Sequence, residues 1–430
     1  MPVGGTADVL VIGGGPGGCA AAIMLARAGR RVQLIEKDRH PRFHIGESLL
    51  PMSMPIFEEL GVREAVEARG CIKRGADFPS STPEGYTVFR FGRSLNPTWP
   101  YAVQIRRADL DQILFDAARR AGVLTAEETT AEEVTFGDDG IEVGARTAQG
   151  DRVSYRARYV IDASGRETLL GRLLRLKEPN PLHRSAALYA HFAGVSRRDG
   201  EDAGNISIYR VADGWAWVIP LPEGITSVGL VCGPDTLRMR GGDSGGFLRR
   251  TLESNPQLAA RLAGAELVGH LQATGNYSYQ CRAWAGHRWV MVGDAAAFLD
   301  PIFSSGVHLA LQSALDAAQL VDRVLTAPQR EARLQRQYSA TQRAALRRIS
   351  WFIVRFNTPV MRQLFSNPRN DWRLEDAVIS MLAGDFYRSD RIGWRLRAFK
   401  LLYWVSCLLH LRAAIRGVIQ LRRRQREAFL

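Results

Sequence analysis

One lysine stands out as a candidate reactive group, because lysine is rare in this chain. Four of the 57 Lys and Arg residues are lysines, and one of them is Lys73. A positive charge that is merely solvated would here normally be an arginine. An ammonium group has a tunable pKa and three compact donors, so it can hold an electrophile or react with it. The glycine and phenylalanine that follow, Gly75 and Phe78, weaken the alternative of an ordinary exposed lysine.

A run of small residues, from Asp300 to His308, precedes a predicted helix. Small residues let backbone N–H groups point at an anion, and the helix N-terminus adds positive potential. A small anion can therefore bind there without a cationic side chain. A lone histidine in a first helical turn is more often a capping or packing residue, so we assign His308 no role.

Two tryptophans alternate along a segment that is typical of a β-strand. Trp215 and Trp217 are separated by one residue and are followed by Ile219 and Pro220. Taken alone, they are as well explained by aromatic packing within a sheet, with Pro220 ending the strand.

Residues 7–38 predict a β-α-β unit that binds a dinucleotide. An apolar strand leads into Gly13, Gly15 and Gly18, which fit G-x-G-x-x-G, and a helix and a second strand follow. The glycines allow a tight turn, close approach of a pyrophosphate and close helix packing. Glu36 ends the second strand, where its carboxylate can accept hydrogen bonds from an adenosine ribose.

Two later predicted strands also end in glycine and an acidic residue, as expected for contacts with a nucleotide. The strand that begins at Tyr159 ends in Asp162 and Gly165, and the strand that begins at Trp289 ends in Gly-Asp at Asp294. Buried strands of open α/β sheets deliver acids and backbone amides to ligands at their carboxyl ends. Both segments are therefore expected to meet the nucleotide.

Together these segments resemble the FAD-dependent monooxygenases of the para-hydroxybenzoate hydroxylase type. The resemblance narrows to the flavin-dependent halogenases, especially the branch acting on phenols and pyrroles, through W-x-W-x-I-P, K-x-G-A-x-F and D-P-x-F-S-S-G-x-H. It implies an α/β fold: a Rossmann-like FAD-binding domain interleaved with a mainly antiparallel β-sheet substrate domain, plus a C-terminal helical region. The residues expected to contact FAD are Gly13, Gly15, Gly18, Glu36, Glu47, Ser48, Gln104, Arg107, Asp162, Gly165, Asp294, Gly306 and Val307.

The resemblance also implies a reaction. Reduced FAD (FADH2) reacts with O2 to give a C4a-hydroperoxide, whose distal oxygen is attacked by chloride or bromide. The hypohalous acid then passes the indoles, which keep an organic substrate from the flavin, and Lys73 directs it to an electron-rich ring. The halide path is expected to comprise Trp215, Trp217, Ile219, Pro220, Phe303, Ser304, Ser305 and Gly306. The general base for the ring proton stays open among acids such as Asp77 and Glu47.

One glycine fingerprint is present, so reduced flavin is expected from a separate NAD(P)H-dependent reductase, or NAD(P)H docks transiently. The substrate is expected to be a phenol or pyrrole, free or tethered to a carrier protein. An alternative is an FAD-dependent aromatic monooxygenase or oxidoreductase without halide chemistry, which would need no Lys73 beside Trp215 and Trp217. A non-catalytic flavin-binding protein would lose the halide segment as well.

The predicted domains are discontinuous. The FAD-binding domain comprises 1–72, 101–180 and 281–325, the substrate-side β-sheet domain comprises 73–100 and 181–280, and the helical region comprises 326–430. Helical periodicity is predicted for 308–326, 330–356, 358–366, 372–383 and 393–427. In the last of these, Leu401, Trp404 and Leu408 belong to an apolar stripe opposite basic residues such as Arg412 and Arg416.

Composition limits the remaining options. The 430 residues carry a net charge of +13, and residues 391–430 hold ten Lys/Arg and one Glu. Without a basic stripe through the main body, nucleic-acid binding is not favoured. The terminal helix is expected to pack on the body with its basic face solvated; docking of an acidic carrier protein and peripheral membrane contact are the alternatives. Five scattered cysteines favour the cytoplasm, and no transmembrane segment or metal site is predicted.

Overall fold

The computed structural model describes residues 3–80, 85–96, 99–180, 185–211, 214–275, 278–366, 368–388 and 391–409. The strands are, in chain order, β1 (Val3–Ile12), β2 (Val32–Ile35), β3 (Cys71–Lys73), β4 (Gly75–Pro79), β5 (Tyr86–Arg90), β6 (Ala102–Gln104), β7 (Leu124–Ala126), β8 (Thr129–Phe136), β9 (Ile141–Thr147), β10 (Arg152–Asp162), β11 (Lys177–Pro179), β12 (Ala186–Ala193), β13 (Ile206–Val211), β14 (Gly214–Pro220), β15 (Ile225–Cys232), β16 (Glu266–Thr274), β17 (Tyr279–Cys281), β18 (Ala285–Gly286), β19 (Trp289–Met291) and β20 (Ala297–Phe298). The α-helices are α1 (Pro16–Arg27), α2 (Met54–Leu60), α3 (Arg63–Ala68), α4 (Arg107–Arg120), α5 (Leu169–Leu173), α6 (Pro234–Arg238), α7 (Ser244–Glu253), α8 (Pro256–Leu262), α9 (Gly306–Thr326), α10 (Glu331–Arg355), α11 (Pro359–Ser366), α12 (Leu374–Leu382) and α13 (Gly393–Leu409).

A mostly parallel sheet brings the predicted nucleotide segments to one edge. Its order is β18-β19-β10-β1-β2-β7, and the β8–β9 hairpin joins β10. Ile12 at the end of β1 lies opposite both Ile35 and Asp162, and Asp162 lies opposite Met291. Because these pairs are parallel, the loops after β1, β2, β10 and β19 all leave at the same edge, as the sequence predicted.

The antiparallel sheet forms the second lobe. Its order is β16-β12-β15-β14-β13-β4-β5, and every neighbouring pair except β13–β4 is antiparallel. Side chains alternate between its faces. Trp215, Trp217 and Ile219 face one apolar core with the C-terminal helices, whereas Ala216 and Val218 face a second core under α7 and α8. The mixed α/β fold with a helical C-terminus is therefore confirmed.

The C-terminal helices lie close to their predicted positions, but the orientation expected for the last helix is wrong. The buried side chains of α13 are Leu396, Phe399 and Tyr403. Leu401, Trp404 and Leu408 of the predicted inward stripe are 66%, 48% and 70% exposed. The helix is apolar on both sides, so periodicity could not tell which side packs inward. The continuation to 427, with Arg412 and Arg416, lies outside the described residues.

Among the residues that the structure describes, no helix is both long and apolar enough to cross a bilayer.

A glycine opposite Trp217 controls how the indole lies on the sheet. Gly229 of β15 pairs with Trp217 of β14, and a Cβ on Gly229 would lie 2.2 Å from the indole ring. The indole therefore covers the glycine, and its Nε1 donates to Ser227 Oγ at 3.2 Å. Backbone and side chain together hold the ring in one orientation.

We predict that Gly229→Ala displaces this indole and lowers the free energy of unfolding by about 1 to 3 kcal/mol, the usual cost of overpacking. Urea unfolding and near-ultraviolet circular dichroism measure the two effects. Gly233→Ala is the matched control, because a Cβ there meets nothing within 4 Å. Equal stability and identical spectra for the two variants would contradict this packing.

Candidate active site

A cavity of about 440 Å³ lies between the loop edge of the parallel sheet and the antiparallel sheet. The predicted site residues that line it are Gly13, Gly15, Glu36, Glu47, Ser48, Arg107, Gly165, Trp215, Trp217, Ile219, Asp294, Ser304, Ser305, Gly306 and Val307. Its lining residues do not include Gly18, Lys73, Gln104, Asp162, Pro220 or Phe303. One continuous space thus joins the predicted nucleotide segments to the tryptophans.

The glycine loop after β1 is shaped for close approach. Gly13 has φ +106°, and a Cβ there would lie 2.4 Å from the Ala163 carbonyl oxygen of the neighbouring loop. Gly18 does not line the cavity, but a Cβ at this position would lie 1.9 Å from the Gly13 carbonyl oxygen. Close packing within the loop therefore requires glycine there. Helix α1 begins after Gly15 without a side-chain cap. Its N-terminal amides are therefore available to an anion at the cavity.

Glu36 is buried and holds the glycine loop. Its carboxylate accepts hydrogen bonds from the backbone N–H groups of Gly14 at 2.6 Å and Asp38 at 3.0 Å. The side chain lines the cavity at the end of β2. A ribose hydroxyl at the same carboxylate stays a prediction.

A buried carboxylate orders two arginines on the cavity wall. Asp111 accepts from Arg107 Nε at 2.9 Å and Nη2 at 3.0 Å, and from Arg42 Nη1 at 3.2 Å. Burial alone would raise the pKa of Asp111, but the two arginines outweigh it and hold that pKa below its ordinary value. Arg107 Nη1 also donates to the Ile45 carbonyl at 2.7 Å, which ties the loop before Glu47 to α4.

Two of the predicted cofactor residues shape loops and turn away from the cavity. Asp162 accepts from the backbone N–H groups of Ser164 at 2.9 Å and Leu170 at 2.7 Å, so it closes the turn after β10. Gln104 donates from Nε2 to the Gly204 carbonyl at 3.1 Å. Its backbone pairs with Ser48, which places Ser48 at the cavity.

The predicted halide segment forms a tight turn before α9. Asp300 accepts the backbone N–H of Ile302 at 3.1 Å, and Ser304 has φ +56°. Helix α9 then starts at Gly306, and its N-cap residue Ser305 makes no side-chain cap hydrogen bond. The N-terminus of this long helix is therefore open to an anion at the cavity.

The aromatic wall consists of three rings from two strands. Trp215 and Trp217 have ring centroids 5.7 Å apart, and Tyr189 of β12 lies 5.9 Å from Trp217. All three line the cavity. Phe303 instead packs edge-on against Phe356 at 5.5 Å, in the core behind this wall.

Lys73 is buried beside the cavity. Its Nζ donates to Ser48 Oγ and to the Leu49 carbonyl, both at 2.9 Å, and lies 5.3 Å from the Phe91 ring centroid. Burial lowers the pKa of Lys73 to about 7. The described residues give this ammonium no ion-pair partner, so near neutral pH it exists in both protonation states. Ser48, whose Oγ accepts the hydrogen bond from Lys73, lines the cavity, whereas Lys73 itself does not.

Two buried titratable side chains flank the halide segment. Burial raises the pKa of Asp294 to about 6, and Arg107 and Arg166 counter part of that rise. Burial lowers the pKa of His308 to about 4, and its ring packs edge-on against Phe386 at 5.3 Å. His308 thus stays neutral and acts in packing, as its position in a first helical turn indicated.

Sequence reasoning missed Arg42, Tyr189 and His191. Arg42 lies in a loop without a motif. Tyr189 and His191 alternate along β12, and alternation marks a strand without telling which of its faces meets the cavity. The sequence also did not reveal a glutamate–histidine pair: Glu47 Oε1 lies 2.9 Å from His191 Nε2, although 144 residues separate the two.

Comparison with known proteins agrees with this geometry. A family model for the FAD binding domain matches residues 6–352. The flavin-dependent halogenase gsfI of Penicillium aethiopicum is 34% identical over 351 residues, which are 75% of this chain and 65% of that protein. The 1H-pyrrole-2-carbonyl-[peptidyl-carrier protein] chlorinase of Pseudomonas fluorescens is 32% identical, over 71% of this chain and 74% of the other. A flavoprotein/dehydrogenase structure from Cytophaga hutchinsonii has a TM-score of 0.85 and 27% identity, and covers 93% of this chain and 98% of that one.

The chain thus spans about two thirds of the length of the fungal halogenase that it matches. The cavity fits the cofactor of these relatives. The N-terminus of α1 is uncapped, and the glycine loop leaves room for a pyrophosphate. FAD is the cofactor that these residues hold, and the chain belongs to the flavin-dependent halogenases.

Proposed function

We propose that this protein is an FADH2- and O2-dependent halogenase that transfers chlorine or bromine to an electron-rich aromatic ring by way of Lys73. The observation that carries the proposal is the buried ammonium of Lys73, one hydrogen bond behind the cavity wall and without an acidic partner in the described residues. Reduced FAD, when bound, supplies from O2 the oxidising power that converts a halide into hypohalous acid.

The halide is proposed to bind at the uncapped N-terminus of α9, near Ser305 and Gly306. Backbone amides can hold chloride or bromide there, because the helix dipole adds positive potential and the side chain of the N-cap residue Ser305 makes no cap hydrogen bond. Ser304, with its left-handed backbone, sets the direction in which the helix starts.

Trp215 and Trp217 are proposed to keep the aromatic substrate away from the flavin. The two indoles and the Tyr189 side chain form a wall. A halide ion or hypohalous acid is small enough to pass it, whereas the aromatic substrate is not. The Ser227 hydrogen bond and the close contact with Gly229 fix the Trp217 indole, so the barrier does not need a substrate to form it.

Lys73 is proposed to capture the oxidant. As ammonium it donates a hydrogen bond to the hypohalous acid; as amine it takes the halogen to give a haloamine and water. A pKa of about 7 provides both forms near neutral pH. An arginine could provide the hydrogen bond alone, since it stays protonated.

The partners are proposed from chemistry and from the relatives. Flavin-dependent halogenases take reduced flavin from a separate NAD(P)H flavin reductase, and the same is proposed here. The ring is proposed to be a phenol or a pyrrole, and the carrier-protein chlorinase of Pseudomonas fluorescens supports a carrier-tethered form. A cytoplasmic location is proposed with them.

A second candidate is an FAD-dependent aromatic monooxygenase or oxidoreductase without halide chemistry. The similarity to the Cytophaga flavoprotein/dehydrogenase favours it, since that match covers nearly the whole of both chains. Such an enzyme would have no use for an unpaired lysine behind a tryptophan wall.

We predict that Lys73→Ala separates formation of the oxidant from its use. With FADH2, O2 and bromide, wild type and variant both release hypobromous acid, measured with a thiol trap. Bromination of a test phenol at one ring position falls about 100-fold or more in the variant, because the oxidant is no longer held. Lys400→Ala on α13 is the control and should behave as wild type. Oxygenation without bromine incorporation by wild type would establish the second candidate instead.

We also predict that Lys73 gives the FAD-free protein a distinct pH dependence of stability. Its pKa is about 7 when folded and 10.5 in the reference state, so between these values the unfolded chain binds more protons. Stability therefore rises with pH from about 7 upward, by as much as about 1.4 kcal/mol per pH unit. Urea unfolding of wild type and of Lys73→Met at pH 7 to 9 measures this effect. The free energy of unfolding should rise with pH more steeply in wild type than in Lys73→Met. Lys37→Met, at an exposed lysine, should keep the wild-type slope; loss of the slope there would contradict the assignment.

A further inference from the structure

The proposed reaction takes up a proton from solution. In full, reduced flavin (FADH2), O2, a halide ion, a proton and a ring C–H give FAD, a carbon–halogen bond and two water molecules. The flavin and the ring carbon are oxidised, O2 is reduced, and the ring hydrogen leaves as a proton that ends in water. One further proton per turnover must therefore reach a cavity whose halide segment is buried.

Glu47 is placed at the inner end of a route for this proton. Glu47 is one of the residues that line the cavity, between the loop tied to Arg107 and the Lys73-bound Ser48, and its side chain is 1% exposed. Its Oε1 is 2.9 Å from His191 Nε2. Its Oε2 is buried and has no hydrogen-bond partner among the described residues. A buried carboxylate with one oxygen unused is costly unless that oxygen serves a ligand or a proton.

His191 is placed at the outer end. Its side chain is 19% exposed, so the pair crosses from solvent to the cavity within one hydrogen bond. The ring lies 5.9 Å from that of Phe43, which is itself exposed, and no described side chain bonds its Nδ1. An imidazole can accept a proton on one nitrogen and release another from its second nitrogen, which makes histidine a proton shuttle.

Two other acids of the cavity wall, Glu36 and Asp300, accept hydrogen bonds from backbone N–H groups. Glu36 is engaged by two backbone N–H groups. Asp300 accepts from Ile302 and lies near Ser185. His44 is also on the wall, but Arg107 and burial lower its pKa to about 4, so it carries no proton near neutral pH.

We propose that Glu47 and His191 form the proton inlet of the active site. A hydronium ion protonates His191 at Nδ1 and leaves water, the proton on Nε2 passes to the Glu47 carboxylate at Oε1, and the resulting carboxylic acid delivers that proton to the cavity. This proposal rests on the proposed halogenase reaction, because that reaction consumes a proton.

Other charged groups around the pair set the conditions of the test. They are His44 on the loop before Glu47, Arg107 at the start of α4, Lys73 behind Ser48, Tyr189 on the same face of β12 as His191, and Arg166, whose charge acts on Tyr189. Burial raises the pKa of Tyr189, and the arginines stay charged. Lys73, with a pKa of about 7, and Asp294 on the cavity wall, with a pKa of about 6, titrate within the range of the test. The measurements therefore use a Lys73→Ala background, in which Asp294 is the same in every variant.

The test measures hypobromous acid release in single turnovers from pre-formed FADH2 between pH 5.5 and 8.5. In the Lys73→Ala background the rate should fall as pH rises, because the inlet takes its proton from a solution that holds fewer protons. His191→Gln should lower the rate at pH 6 about 100-fold and flatten this pH profile, as expected for loss of a general acid. Imidazole in solution should restore part of the rate in His191→Ala.

Coupling and cofactor binding distinguish an inlet from a structural role. Glu47→Gln should cost about as much as His191→Gln, and the double variant should lose no more than either, because both interrupt one route. The dissociation constant of oxidised FAD, measured by fluorescence, should change less than threefold in His191→Gln and Glu47→Gln. His287→Gln is the matched control, since His287 also pairs with a glutamate at 2.9 Å but on an exposed surface.

The results that overturn the inlet are specific. An unchanged rate and pH profile in His191→Gln would do so, as would losses that multiply in the double variant. A loss in Glu47→Gln that follows weakened FAD binding would make Glu47 a cofactor-binding residue only. Absence of hypobromous acid from the wild-type chain would overturn the proposed function itself, and is distinguishable because it precedes any comparison of variants.

Discussion

The structure depends on burying one ammonium group without a carboxylate beside it. The free-energy cost of desolvating Lys73 is offset by two hydrogen bonds, to Ser48 Oγ and to the Leu49 carbonyl. Both acceptors must therefore be held accurately. The short sheet formed by β3 and β6 places Lys73, and the backbone bridge between Gln104 and Ser48 places its acceptor on the same small unit. Gln104 thus contributes through its main chain.

Charge is handled in two different ways around the cavity. Arg42 and Arg107 are neutralised by Asp111, which also fixes their positions. Such paired charges suit binding, because they keep one protonation state over a wide pH range. Lys73 and Glu47, by contrast, each have an incomplete set of partners. Groups of this kind can exchange protons, which suits chemistry.

The cavity exists because two sheets meet with different requirements. Parallel strands deliver loops to one edge, and those loops must be glycine-rich or positive in φ to pass close to each other, as at Gly13. The antiparallel sheet presents a flat face, on which large rings can stand side by side. Binding of a nucleotide and the proposed separation of the halide ion from the aromatic substrate therefore fall to different sheets, and the start of helix α9 lines the cavity between them.

The sequence by itself determined the local elements and the family. The β-α-β unit, the strand ends at Asp162 and Asp294, and the helices from residue 306 to 382 follow from periodicity and from glycine and proline positions, which act over a few residues. The tertiary structure alone decided which faces meet. It turned Leu401, Trp404 and Leu408 of α13 outward, since that helix is apolar on both sides. It also brought Glu47 to His191, because the pairing of distant segments depends on how whole sheets pack, and spacing along the chain carries no record of that.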